Sequence, residues 1–458
     1  MLTPELRAQI SQAAETFGGG VTHGRVLRAA GTVIEACVPG SQIGDLVQIE
    51  RGSAAPAMGE VVGFRESVAL LMPLADVGGI SPGVRVRRHG ACADIGVGPE
   101  LLGRMIDAFG APLDGRPPPL TSVRVPIVGE APSPNERTSI RVPFETGVRI
   151  IDGMLTTGHG QRVGLFAGAG VGKTVLIRQI AKQSQADVKV IALIGERGCE
   201  VADMVEHFDL ESTVLVVATS DRSPMERARG ALTATAIAER FAQDGASVML
   251  VVDSLTRYAM ALREVGLAAG ELPATKGYPP SVFALLPRLL ERAAALRSGG
   301  SVTAFYTVLV EGDDLSDPVA DSARSLLDGH IVLSRDLAGR GHFPAVDVLA
   351  SASRVMRQVA TPETVALADR ARGAFAARRE VDELRSLGAY VPGQNDAFDQ
   401  ALEVGTQLDA WARQGPDERC DRDQALSGLE AALAVEATPA PSARKRLRRT
   451  KPSEARHA

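Results

Sequence analysis

Between Gly24 and about Gly96 the apolar positions fall in short runs, at 32–37, 46–50, 60–64, 68–73 and 83–88, separated by glycine and proline turns. Brief β-branched runs at this spacing predict a small β-barrel. The pattern changes near Ile150. From there to about Met356, nearly continuous apolar runs at 162–166, 188–194, 214–219, 247–253, 302–310 and 330–333 alternate with helical segments. Such runs predict parallel strands covered by helices on both faces. Ligands of these sheets sit beyond the carboxyl ends of the strands, so the residues just after each run are the place to look for chemistry. After Pro362, suited to the first helical position behind a Thr361 cap, the chain reads as helical. The three-four spacing of Val404, Leu408 and Trp411, and of Leu426, Leu429 and Leu433, predicts buried stripes there.

The joints between these regions are also visible. Residues 98–113 read as a short structured connector, and 112–143 as a proline-rich linker, with Pro117, Pro118 and Pro119 in a row, that wraps onto the next domain. The expected layout is an N-terminal extension (1–23), a barrel (24–97), connector and linker (98–147), an α/β core (148–360), a helical domain (361–436) and a disordered basic tail (437–458).

Composition narrows the class. With 458 residues, 45% hydrophobic and 23% charged, the chain suits a multidomain globular protein and not a disordered, collagen-like or disulfide-dense one. No basic-then-apolar leader and no run of 18 apolar residues occurs, so a soluble cytoplasmic protein is expected. Cys37, Cys92, Cys199 and Cys420 are dispersed, which argues against a zinc site or a disulfide framework. The net charge of -5 hides an asymmetry: residues 437–458 carry seven Arg and Lys against Glu454 alone, leaving the rest strongly acidic. That tail is either a solvated extension or a surface for anionic lipid or nucleic acid.

The most specific chemical signal is Ala167-Gly168-Ala169-Gly170-Val171-Gly172-Lys173-Thr174, followed by Val175, set between an apolar strand run and a helix. Small residues let backbone N–H groups wrap a phosphate chain, Lys173 suits the β and γ phosphates, and the Thr174 hydroxyl suits Mg²⁺. The strict pattern has Gly where Ala167 stands; Ala is nearly as small. Asp253 closes an apolar run, a place from which a carboxylate holds Mg²⁺ through water. Glu196, just past the 188–194 run, is placed to orient and deprotonate an attacking water, although a Glu196–Arg197 pair alone reads equally as a surface ion pair.

Around these stand Gly195-Glu196-Arg197-Gly198, Asp253-Ser254-Leu255-Thr256-Arg257, and the segments 273–283, 305–314 and 347–356. Together they resemble the ATPases of type III protein secretion and flagellar export, relatives of the catalytic β subunit of rotary ATP synthases, over about 24–434. The resemblance implies a P-loop parallel-sheet ATPase core with an N-terminal small β-barrel and a C-terminal helical domain. It implies an ATP- and Mg²⁺-dependent homohexamer, cytoplasmic and peripheral to the inner membrane at the secretion apparatus. Its implied partners are an export-gate stalk protein, a peripheral stator-like regulator, secretion chaperones and cargo, and no nucleic acid; membrane association through the basic tail rests on charge alone, as one of that tail's two readings. In that family Glu196 matches the catalytic carboxylate, Arg197 and Arg257 lie near the γ phosphate, Arg354 matches an arginine finger entering the neighbouring subunit's site, and Phe343 matches the adenine-stacking aromatic. The barrel segment 31–44 looks more like the nonflagellar injectisome branch than the flagellar one. A rotary β subunit and a nucleic-acid-translocating ring are the competing readings; the second wants stacking aromatics, and Phe64 is the barrel's lone aromatic. Cys199 stands where relatives carry Arg, as a chance thiol or a redox-sensitive one.

Overall fold

The computed structural model describes residues 23–434, apart from 53, 75–77, 91–93, 208–210, 311, 313 and 315. The basic tail, Cys92, and the extension apart from His23 lie outside the described residues.

Six antiparallel strands close the barrel: β1 (His23–Ala30), β2 (Val33–Cys37), β3 (Leu46–Arg51), β4 (Ala54–Arg65), β5 (Val68–Pro73) and β6 (Arg85–Gly90). Their order is β1-β2-β5-β4-β3-β6, with β6 pairing back onto β1. Alternate residues point inward, so Val26, Ile34, Ala36, Val47, Ile49, Val61, Leu71 and Val86 form a buried plug. The sequence pattern predicts five of these strands and misses β1. In β1 Val26 is buried while Leu27 is half exposed, so its alternation is blurred.

Two short antiparallel pairs follow the barrel along the chain before the main sheet, β7 (Asp94–Val97) with β9 (Val123–Pro126) and β10 (Pro143–Phe144) with β11 (Thr157–Gly158). The core is an eight-stranded sheet in the order β18 (Ala352–Ser353), β17 (Gly329–Val332), β12 (Arg162–Ala167), β16 (Ser301–Leu309), β15 (Ser247–Asp253), β13 (Val188–Ile194), β14 (Thr213–Ala218), β8 (Arg104–Ile106). All neighbours run parallel except β17 and β18. The six runs expected as strands are all present. Strand β8 is the surprise, because the connector, expected only as a joint, supplies the sheet's far edge. Arg104 and Ile106 pair with Val214 and Val216, and the Arg104 guanidinium grips Asp114 through Nε–Oδ2 at 2.6 Å and Nη2–Oδ1 at 3.1 Å.

Alternation divides the core in two. Val190, Ala192, Ile194, Leu250 and Val252 pack under the helix Pro224–Gln243 and its neighbours. Ile191, Leu193, Met249 and Val251 face the helix Lys173–Gln183 and, beyond it, Leu408, Trp411 and Leu429 of the C-terminal helices.

Those helices are Pro362–Ser386, Asp396–Ala412 and Arg422–Leu433, the first capped by Thr361 with Pro362 at its start, as the sequence predicts. Val404, Leu408 and Trp411 are buried. The last stripe needs correcting. Ala425, Leu429 and Ala432 are buried, whereas Leu426 and Leu433 sit at its flanks, half-buried. The reason is Trp411: its indole donates to the Ala425 carbonyl at 3.0 Å, and a Cβ on either Gly153 or Gly428 would meet the ring at 3.0 Å. Small residues make that close approach, and a leucine-weighted reading overlooks them. Among the described residues no helix is long and apolar enough to cross a membrane.

Candidate active site

Strand β12 ends at Ala167, and the helix Lys173–Gln183 starts after a turn in which Gly170 and Gly172 take φ values of +76° and +92°. Both lie in the left-handed region that glycine adopts without strain. Gly172 caps the helix but offers no side chain to its first-turn N–H groups, so the positive end of the helix dipole faces the loop without an acceptor of its own. That is a cradle for an anion.

Three charges converge beside it. The Lys173 ammonium lies 2.5 Å from Asp253 Oδ1 and 3.6 Å from Glu196 Oε1. Asp253, at the carboxyl end of β15 and only 1% exposed, also accepts the Thr307 hydroxyl at 2.6 Å. Glu196 follows β13, carried on Gly195, whose φ is +71° and against which the Arg257 side chain packs. Burial pushes the Glu196 carboxyl up to about 7; Lys173 opposes the rise, and Asp253 and Glu200 add to it. Burial pulls the other way on Lys173, but Asp253 and Glu196 outweigh it and hold the ammonium above the usual lysine range. One cation thus serves two crowded carboxylates, and an incoming phosphate chain would compete for it.

The remaining expected residues separate into near and far. The Phe343 ring is 3.3 Å from where a Gly172 Cβ would stand and is 44% exposed, a free aromatic face beside the phosphate loop. Val175 on the helix's first turn is also exposed. Arg257 leans on Gly195, and its buried Nε has no hydrogen-bond partner. Arg197 turns to solvent with its side chain 78% exposed and Glu200 3.6 Å away, so the single chain does not bring it to the Lys173 cluster. Cys199, beside it, is exposed and unpaired in any disulfide.

Arg354 lies at the other end of the sheet. Ser353 pairs with Gly329, and Gly329 is level with Val163, four residues before Ala167. At about 3.3 Å per residue that alone is roughly 13 Å. Arg354 is exposed, and this chain's own phosphate loop is out of its reach.

Sequence reading missed three participants. Thr307 is one of two threonines in a largely apolar run. Arg335 donates to the Ala169 carbonyl at 3.4 Å, and Gln414 donates its backbone N–H to the Phe343 carbonyl at 3.0 Å. Neither left a local signal, since both reach the site from distant segments.

Comparison with known proteins agrees with this architecture. Residues 26–90 match the beta-barrel domain model of the ATP synthase alpha/beta family, 147–353 its nucleotide-binding domain, and 360–431 the T3SS EscN ATPase C-terminal domain. The flagellum-specific ATP synthase of Bacillus subtilis is 47% identical over 89% of this chain and 94% of its own length. The type 3 secretion system ATPase of Sinorhizobium fredii is 46% identical over 89% and 92%. The assembled ATPase EscN of the enteropathogenic E. coli type III secretion system superposes with a TM-score of 0.85 at 41% identity, covering 90% of this chain and 100% of that one. A second EscN structure, in complex with its central stalk EscO, gives 0.82 over the same coverage. With this barrel, sheet and phosphate loop in this order, the chain belongs to the ATP synthase alpha/beta family, in the branch of type III secretion and flagellum-specific ATPases.

Proposed function

We propose that this chain hydrolyses Mg-ATP as one subunit of a homohexamer that energises type III protein export, releasing chaperones and unfolding cargo. The observation that carries the proposal is the convergence of Lys173, Glu196 and Asp253 at the carboxyl ends of neighbouring strands, beside an anion cradle and the open face of Phe343. The loop from Ala167 to Gly172 and the first turn of the following helix bind the phosphates, with Lys173 moving from Asp253 to the β and γ oxygens. Thr174 and Asp253 fit Mg²⁺, being hard oxygen donors at the helix start and the strand end. Bound there, the ion would neutralise charge on the phosphates. Glu196 positions the attacking water and takes its proton, a task suited to a carboxyl raised towards neutrality. Phe343 stacks on adenine, and Arg257, packed against Gly195 next to Glu196 in the chain, steadies the γ phosphate. Arg354 completes the neighbouring subunit's site, because its own loop is beyond its reach.

The injectisome branch is favoured by the match of 360–431 to the EscN C-terminal model and by the two EscN superpositions. The flagellar reading rests on the equal closeness of the Bacillus subtilis relative. A central stalk comparable to EscO, a stator-like regulator, chaperones and cargo are the partners this reading supplies, with the assembly docked at the inner membrane.

Binding and chemistry should separate by mutation. Lys173→Ala should weaken nucleotide binding, measured with a fluorescent ATP analogue. Glu196→Gln should bind as wild type does while losing most turnover. Equal turnover by Glu196→Gln and wild type would overturn the assignment.

A further inference from the structure

The segment that carries Arg354 is pinned to the start of β12 by one residue, Asp328. Its carbonyl accepts the Arg354 backbone N–H at 2.9 Å. Its carboxylate meets the Arg162 guanidinium as a fork, Nε–Oδ2 and Nη2–Oδ1 both at 2.9 Å, and also accepts the Arg162 backbone N–H at 3.1 Å. Gln161 adds a second bridge, its amide donating to the Asp328 carbonyl at 3.2 Å and to Ser353 Oγ at 3.3 Å. The approach is so close that a Cβ on Gly329 would come within 2.9 Å of both the Ala352 carbonyl and the Gln161 amide. Arg162 is fixed from behind by Glu291, which also pairs with Arg137 of the linker at 3.0 Å.

The finger side chain itself has little hold. Beyond a single bond to the Arg324 carbonyl at 3.2 Å it stands in solvent. What aims it is therefore its backbone, and its backbone is held at Asp328.

We propose that Asp328, clamped by Arg162, is a positioning residue for catalysis in the neighbouring subunit: the pair fixes the Arg354 backbone so that the guanidinium meets the transition state across the interface. The proposal rests on the reading of Arg354 as a finger acting in trans. A planar bidentate pair suits this task, since it fixes direction as well as distance. Misplacement of a catalytic group by the order of 1 Å costs up to about a hundredfold in rate.

Asp328→Asn keeps the shape and the backbone carbonyl but loses the charge that locks the fork. In the full-length protein it should lower kcat about tenfold or more while leaving KM for ATP and hexamer formation unchanged. Arg162→Lys, which keeps the charge and loses the fork, should fall between it and wild type. Adding Asp328→Asn to Arg354→Ala should cost little beyond Arg354→Ala alone, because the pin acts only through the finger. Mixing Asp328→Asn with Lys173→Ala should raise specific activity above the mean of the two separate preparations, since a Lys173→Ala neighbour lends an intact, well-aimed finger to an intact phosphate loop. A raised KM, full additivity with Arg354→Ala, or a failure to recover on mixing while Arg354→Ala mixed with Lys173→Ala does recover would overturn the positioning role. Recovery in neither mixture would overturn the trans finger itself, and the pin with it.

Discussion

Glu196 shows how a site residue is at odds with the fold that holds it. Its carboxyl is raised to about 7, chiefly by burial. A raised carboxyl contributes stability that is complete below its unfolded value, roughly 4.3, and is lost as pH climbs to the folded value. The base form that the proposed mechanism needs is populated over the same rise, so the fold would lose stability as the site becomes competent. Glu196→Gln should accordingly melt higher than wild type at pH 8 and lose that advantage by pH 5, in thermal unfolding without nucleotide. A constant difference at both pH values would show that the carboxyl is not raised. The residues of this cluster were legible in the sequence because each stands just past an apolar run, where the sheet's geometry places chemistry. The distance between Arg354 and its own loop was not legible, because it depends on the register of β17 between β12 and β18, which no local pattern encodes.

Elements were legible in proportion to their burial. Five of the six core strands are buried along nearly their whole length, so their runs are unbroken and easily read, while β17 alternates buried and half-buried positions. Strand β8 has three residues and sits in a connector, and its place was set by pairing with β14 and by the Arg104–Asp114 grip, neither of which leaves a periodic trace. The final helix has the predicted type and a buried face shifted from the predicted one yet still centred on Leu429, because alanine and glycine against Trp411 carry much of the packing. That difference is measurable by denaturant unfolding. Leu429→Ala, fully buried, should cost about 2–5 kcal/mol, and Leu426→Ala, half-buried on the flank, clearly less. Equal costs would restore the leucine stripe.

As a whole, on the proposed function, the molecule carries two incomplete halves of a site, a phosphate loop at the carboxyl end of the sheet and an exposed arginine at the amino end. A chain so built should hydrolyse ATP poorly alone, and its specific activity should climb with protein concentration until assembly is complete. Activity per chain that stays flat across the assembly range, followed by light scattering, would mean that each chain holds a complete site. Strand β12 joins those halves, opening into the phosphate loop at Ala167 and holding the Asp328 pin at Arg162. In a closed ring of identical chains every such strand points the same way round. On the proposed reading the ring then has a handedness: each chain lends its finger to one neighbour and receives a finger from the other. That handedness is set by which end of a six-residue strand each function occupies.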